Sequence, residues 1–138
     1  MSVRVGDRDE GKLQVLEASK NLIRYTYERC IDKTFPKAER WLMPQSIWKE
    51  VYSAHSKIVQ ANKIRVTNKL EAEQRILLSE ESLGHLDELM FLIDTCHVLG
   101  KISDDRAEYW TGLVYKAQNL DVKWIKAQRT DYSEFLTQ

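Results

Sequence analysis

The chain has 138 residues, of which 43% are hydrophobic, enough to bury the core of one domain. With 5 glycines, 2 prolines and 30% charged residues, the composition favours long helices with few turns. Because 21 basic side chains balance 21 acidic ones, the strong overall positive charge of many nucleic-acid-binding domains is excluded. We find neither a signal segment nor an uninterrupted apolar run that could span a membrane, so we expect a cytoplasmic protein.

Four helices are predicted, flanked by a frayed N-terminus and a C-terminal tail, over residues 12–33, 44–63, 70–99 and 104–129. The third runs for thirty residues without a proline. Its inward-facing residues recur every three or four positions, as on one face of an α-helix: Ile76/Leu77, Leu83, Leu86, Met90, Ile93 and His97. Four such helices with short connections predict an all-α fold, an up-down-up-down four-helix bundle in a single domain over residues 1–138.

The other three helices carry similar apolar stripes. Helix 1 is expected to bury Leu13, Leu16, Ile23, Tyr27 and Cys30/Ile31. Helix 2 is expected to bury Ile47, Val51, Ala54, Ile58 and Ala61. Helix 4 is expected to bury Ala107, Trp110, Val114 (or Leu113), Ala117, Leu120 and Trp124.

The connections between the predicted helices contain residues that favour helix ends. Pro36 disfavours helix at the residue before it, and the apolar pair Trp41-Leu42 that follows is predicted to dock on the bundle. Gly100 suits the left-handed residue that closes a helix, and Ser103 is a natural N-cap for helix 4. Cys30 and Cys96 lack metal-ligand spacing and are predicted to be free thiols.

Charge is distributed unevenly along the chain. Residues 36–78 hold eight Lys/Arg and four acids, a balance of +4, whereas residues 79–99 hold five acids and no Lys or Arg, a balance of −5. A solvated surface with complementary neighbours explains this pattern, and so does a basic face for phosphates. If nucleic acid binds, the expected contacts are Lys37, Arg40, Lys49, Lys57, Lys63 and Arg65, with Lys123, Lys126 and Arg129 as a second cluster.

No catalytic or metal-binding motif is found. GxSxG, P-loop, HExxH and GxGxxG patterns are all absent from the sequence, so we predict that the protein is not an enzyme. Asp94 and His97 have the i, i+3 spacing of half a di-metal site, but neither His55 nor His85 has an acid three positions before it. We therefore expect no metal and no cofactor.

The four tryptophans differ in their expected roles. Trp110 and Trp124 follow the stripe of helix 4 and are predicted to lie in the core. Trp48 lies off the line of Ile47 and Val51, so it is predicted to be exposed and, with Tyr52, to mark a partner interface.

Several short motifs, in order along almost the whole chain, resemble one family. They are Phe35-Pro36-Lys37-x-x-Arg40, Ile58-Val59-x-Ala61-Asn62-Lys63, Leu89-x-Phe91-Leu92-Ile93 and Trp124-Ile125-Lys126. The chain resembles the four-helix-bundle accessory variability determinant (Avd) proteins of diversity-generating retroelements and the four-helix-bundle proteins encoded in 23S ribosomal RNA intervening sequences.

The resemblance implies a homopentamer that binds a reverse transcriptase and nucleic acid, either template RNA or cDNA, without sequence specificity. The protein would be indispensable to that complex without being catalytic. The alternative that the residues leave open is a four-helix-bundle scaffold for protein–protein interactions, which binds no nucleic acid directly.

Overall fold

The computed structural model describes the backbone of residues 5–39 and 41–138, and the side chains of residues 11–39 and 41–138. Its described residues are predominantly helical and contain no strand. The helices are α1 Val5–Ile31, α2 Met43–Lys63, α3 Lys69–Val98, α4 Asp104–Asp131 and the short α5 Ser133–Leu136, with a 3-10 turn at Lys37–Glu39. The four long helices form a bundle in which α1 and α3 each pack against α2 and α4. None of the described helices has the length and apolar character that a membrane crossing requires.

Contacts between neighbouring helices follow a regular order. Between α2 and α3, Glu50 contacts His85, Ala54 contacts Ser82 and Ala61 contacts Arg75. Residue numbers therefore rise along α2 as they fall along α3. The same order holds for α1 with α2, in the pairs Ser19–His55 and Cys30–Pro44, and for α3 with α4, in the pairs Asp87–Gln118 and Ser79–Gln128. For α1 with α4 it holds in the pair Tyr25–Tyr109 and, just after the end of α1, in the pair Thr34–Arg106.

The helix ends follow the local sequence. Asn68 caps α3 by accepting a hydrogen bond from the Glu71 amide at 2.9 Å, and Gly100 ends it with a φ of 73°. The side chain of Ser103 accepts from the amide of Arg106 at 3.2 Å, which confirms the N-cap of α4. Near the N-terminus of the chain, α1 begins at Val5, earlier than the start predicted at residue 12. Residues 1–4 lie outside the described part of the chain.

The stripes predicted for α2 and for most of α4 are confirmed, and both expected core tryptophans are buried. The stripe predicted for α1 is partly wrong: Leu16, Ile23 and Cys30 are half-buried and pack against the core. Leu13 and Tyr27 are exposed, Tyr27 at 51% of its surface. The buried line is instead Val15, Ala18, Ser19, Leu22 and Thr26.

Hydrogen bonds explain why two polar residues of α1 can be buried where apolar ones were expected. The Ser19 hydroxyl donates to the Leu16 carbonyl at 3.0 Å. Thr26 Oγ1 accepts from the indole nitrogen of the fully buried Trp110 at 3.1 Å. A buried hydroxyl with a partner does not pay the cost of an unmade hydrogen bond.

On α3 the predicted stripe is partly wrong. Ile76, Leu86 and Ile93 are buried as expected, but Leu77 and His97 are exposed. The structure also buries six residues of α3 that the predicted stripe does not include: Ala72, Arg75, Ser79, Ser82, Leu89 and Cys96. His97 instead lies near the start of α4, where its Nε2 is 2.6 Å from Asp104 Oδ1.

The prediction that Trp41-Leu42 docks on the bundle is also wrong, since Trp41 is 79% exposed and Leu42 is exposed as well. Phe35, which is buried, fills this end of the core instead. The two cysteines are free, as predicted. Burial raises the pKa of each thiol to about 11, so both are protonated at neutral pH.

Candidate nucleic-acid interface and the buried polar residues

Two of the nine predicted nucleic-acid contacts lie together. Lys63, at the end of α2, and Arg65, in the connection to α3, line one open groove with a volume of about 460 Å³. Asn62 and Tyr132 also line it. We call this hollow the connection groove. It forms because α2 ends at Lys63 and the following residues turn across the end of the bundle before α3 begins.

Arg75 lies at the base of the connection groove and was not predicted to contribute to binding. It is 9% exposed. Its Nε donates to Gln128 Oε1 at 2.9 Å, and its Nη1 donates to the carbonyls of Ala61, at 3.2 Å, and Ile64, at 2.9 Å. Ala61 lies in the last turn of α2, where its carbonyl also accepts from the Ile64 amide at 3.1 Å, and Ile64 follows the helix directly. Arg75 therefore joins the end of α2 to α3 and α4.

Aromatic rings enclose the Arg75 guanidinium. Its central carbon is 5.4 Å from the ring centre of Trp124 and 5.7 Å from that of Tyr132. Burial lowers the pKa of Arg75, while the neighbouring Tyr132 and Asp131 act in the opposite direction. The Arg75 guanidinium is therefore a buried cation held in a fixed orientation, and the effect of burial on its pKa outweighs that of these two neighbours.

The remaining predicted contacts do not converge on this groove. Lys37, Lys49, Lys123 and Lys126 are exposed at other places, and Arg40 lies outside the described residues. Lys57 is paired with Glu81 at 2.9 Å, and Arg129 is paired with Glu80. Lys57 and Arg129 would have to exchange these carboxylates for a phosphate.

An aromatic row lies on α1 and α2, at the position predicted for a partner interface. The ring of Trp48 is 5.8 Å from that of Tyr27 and 6.2 Å from that of Tyr52. Tyr52 is 56% exposed. Trp48 itself is half-buried and packs against the core, so the prediction of an exposed Trp48 is corrected. The two tyrosines supply the exposed part of the row.

Asp121 of α4 is an unusual buried acid. It is 0% exposed, and neither carboxylate oxygen has a hydrogen-bond partner among the described residues. Burial raises the pKa of Asp121 to about 7, and the nearby Ser82 opposes this rise. The Ser82 hydroxyl, however, donates to the carbonyl of Ala54 at 2.9 Å. Asp121 is therefore protonated to a large extent at neutral pH.

The contacts of the histidines are structural. His55 Nδ1 is 2.7 Å from Ser19 Oγ, but Ser19 is buried and its hydroxyl donates to Leu16. This pair links α1 to α2 and does not present a nucleophile to solvent. Burial, followed by the charge of Lys20, lowers the pKa of His55. His85 is half-buried and contacts Glu50 at 2.7 Å. In the described part of the chain, no three His, Cys, Asp or Glu side chains lie where they could hold a metal ion.

The sequence contains a signal for the buried polar residues that the hydrophobic pattern does not predict. Asp121 and Gln128 continue the helical period of Ala117 and Trp124, with steps of four, three and four residues. Arg75, Ser79 and Ser82 follow the same kind of period on α3. Polar residues at core positions predict internal hydrogen bonds, and one such chain runs from Arg75 through Gln128 to Ser79.

Comparison of the chain with protein-family models, with curated proteins and with solved structures gives no significant match.

Proposed function

We propose that this chain is a non-catalytic accessory protein of a diversity-generating retroelement, which binds nucleic acid and a reverse transcriptase as a homo-oligomer in the cytoplasm. The observation that carries nucleic-acid binding is the connection groove, where Lys63, Arg65 and Arg75 meet. The retroelement, the reverse transcriptase and a pentameric assembly rest on the motifs from Phe35 to Lys126 that resemble the Avd family.

For the bundle we propose the up-down-up-down topology of that family. The order of the contacts supports it, because residue numbers rise along one helix and fall along its neighbour for all four packed pairs. With this topology the connection groove lies at the end of the bundle that holds the α2–α3 connection. The exposed Trp41-Leu42 pair lies at the opposite end.

The groove would bind through charge and geometry rather than base recognition. Lys63 and Arg65 are exposed and can reach a phosphate, and Arg75 holds its positive charge at the base of the hollow. Phosphate contacts position a protein on nucleic acid without reading its sequence. Each contact releases counterions, so affinity should fall steeply as salt rises.

The test is a charge reversal in the groove. The double variant Lys63→Glu, Arg65→Glu should bind a structured RNA at least about tenfold more weakly than the unaltered protein at low salt, with a shallower salt dependence. The matched control is Lys116→Glu, a reversal of an exposed lysine on α4, which should change affinity by less than about twofold. Fluorescence anisotropy measures the affinity, and circular dichroism verifies the fold. Equal affinity for all three proteins would contradict the proposal.

The aromatic row favours a second candidate, a protein-interaction scaffold. Tyr27 and Tyr52 expose ring surface on either side of Trp48, and tyrosine is enriched at protein interfaces. If the row joins protein chains, Tyr52→Ser should lower the oligomer mass in light scattering without changing the urea midpoint. A scaffold of this kind would show no RNA-induced change in mass, which separates it from the first proposal.

A further inference from the structure

The connection groove brings three cationic side chains together around one hollow. Three cationic side chains come from three consecutive segments, with Lys63 at the end of α2, Arg65 in the connection and Arg75 on α3. The described residues that line the groove include no carboxylate. A nucleic-acid backbone presents one negative charge per phosphate, so three cations around one hollow exceed what a single internal phosphate requires.

The cation at the base of the groove is already ordered. Hydrogen bonds to Gln128, Ala61 and Ile64 hold the Arg75 guanidinium, so folding has already met the entropic cost of fixing its orientation. A buried cation gains from an added anion, because burial disfavours its charged form. Asp131 of α4 supplies part of this compensation from outside the lining.

The two other cations can adapt to what enters. Lys63 and Arg65 are exposed, and no ion pair involving either is found among the described residues. The ring of Tyr132 forms a further side of the groove. A fixed cation at the base and two movable ones at the rim are suited to a compact, doubly charged group. A phosphate monoester carries between about 1.5 and 2 negative charges at neutral pH, and it offers three acceptor oxygens.

We propose that the connection groove binds a phosphate monoester, the terminal phosphate of a nucleic-acid strand, held by Lys63, Arg65 and Arg75. This assignment rests on the proposed nucleic-acid binding and defines which part of the strand the groove takes. The strand end would enter at the end of the bundle, and the remaining backbone would run over the surface from there. Charge and oxygen geometry recognise the ligand, so base identity at the strand end is immaterial.

The test compares two short single-stranded RNAs of one sequence, with and without a terminal phosphate, the phosphate being placed in turn at each end. We expect the unaltered protein to bind one phosphorylated form at least about fivefold more tightly than the hydroxyl form at about pH 7.5. The ratio should fall towards one at about pH 5, because the second ionisation of the phosphate has a pKa of about 6. Groups of the protein that titrate in this range away from the groove affect both RNAs alike, so they cancel in the ratio.

Conservative variants keep the test independent of folding. Arg65→Gln and Lys63→Gln should each reduce the preference to less than about twofold, while Lys116→Gln should retain it. Titration with inorganic phosphate should shift the Arg75 Nε–H and the backbone amides of residues 64–66 in NMR spectra. Equal binding of the phosphorylated and hydroxyl RNAs would overturn this inference and leave the proposed function standing. A failure of both RNAs to bind would overturn the proposed function as well.

Discussion

Replacing Asp121 by asparagine tests the most unusual feature of the core. The carboxyl group is fully buried, and neither oxygen has a hydrogen-bond partner among the described residues. Burial raises its pKa from 3.8 to about 7. The folded protein therefore holds a proton on Asp121 between about pH 4 and pH 7, where the unfolded chain has lost it. In this range the contribution of Asp121 to stability falls as the pH rises, and above about pH 7 it is constant.

The size of the effect follows from the shift. A change of about three pKa units at 1.36 kcal/mol each corresponds to about 4 kcal/mol at most. Asparagine has nearly the shape of a protonated aspartic acid and carries no charge at any of these pH values. The free energy of unfolding of Asp121→Asn minus that of the unaltered protein should therefore increase by up to about 4 kcal/mol between about pH 4 and pH 8.

Urea unfolding followed by circular dichroism, at a series of pH values, measures this difference. Other titrating groups are common to both proteins and cancel from the comparison. Asn119→Gln, at an exposed position of α4 two residues before Asp121, is the control and should give a difference that does not depend on pH, because neither side chain titrates. A difference for Asp121→Asn that stays constant from acid to alkaline pH would refute the reasoning, since it would mean that the buried carboxyl group does not change its protonation.

Two further substitutions test the helix ends. Gly100 adopts a φ of 73°, so Gly100→Ala should lower the free energy of unfolding by about 1 kcal/mol in urea titrations; an unchanged value would show that this conformation carries no strain. Arg75→Met should lower the free energy of unfolding by about 3 kcal/mol or more, because the Ile64 carbonyl and Gln128 Oε1 lose their donor and the Ala61 carbonyl keeps only the Ile64 amide. Gln74→Met, at an exposed neighbouring position, is its control, and equal stabilities of the two variants would contradict the role given to Arg75.

The sequence predicts the helical fold well where apolar and polar faces are cleanly separated. On α2 the line from Ile47 to Ala61 is buried throughout, because charged residues occupy the opposite face. On α1 apolar side chains lie on both faces, and tyrosines such as Tyr27 tolerate exposure. The choice between the two faces of α1 depends on contacts with α2 and α4, which a single helix does not encode.

The sequence predicts only some of the residues that line the connection groove. Lys63 and Arg65 stand out as basic residues in the sequence, but their meeting with Arg75 depends on how the connection after α2 turns. Buried polar residues such as Asp121 were missed because a hydrophobic pattern assigns polar residues to the surface. Their regular helical spacing with core residues is the signal that the sequence offers. It indicates that these side chains are buried, but not which group each one contacts.

Light scattering coupled to size-exclusion chromatography shows whether the protein is an oligomer and whether that oligomer binds RNA. The protein is run alone and with a structured RNA, at low and at high salt. We predict an oligomer, a pentamer by resemblance to the Avd family, that gains the mass of RNA at low salt and releases it at high salt. A monomer or dimer whose mass does not change with RNA at either salt concentration would contradict this prediction.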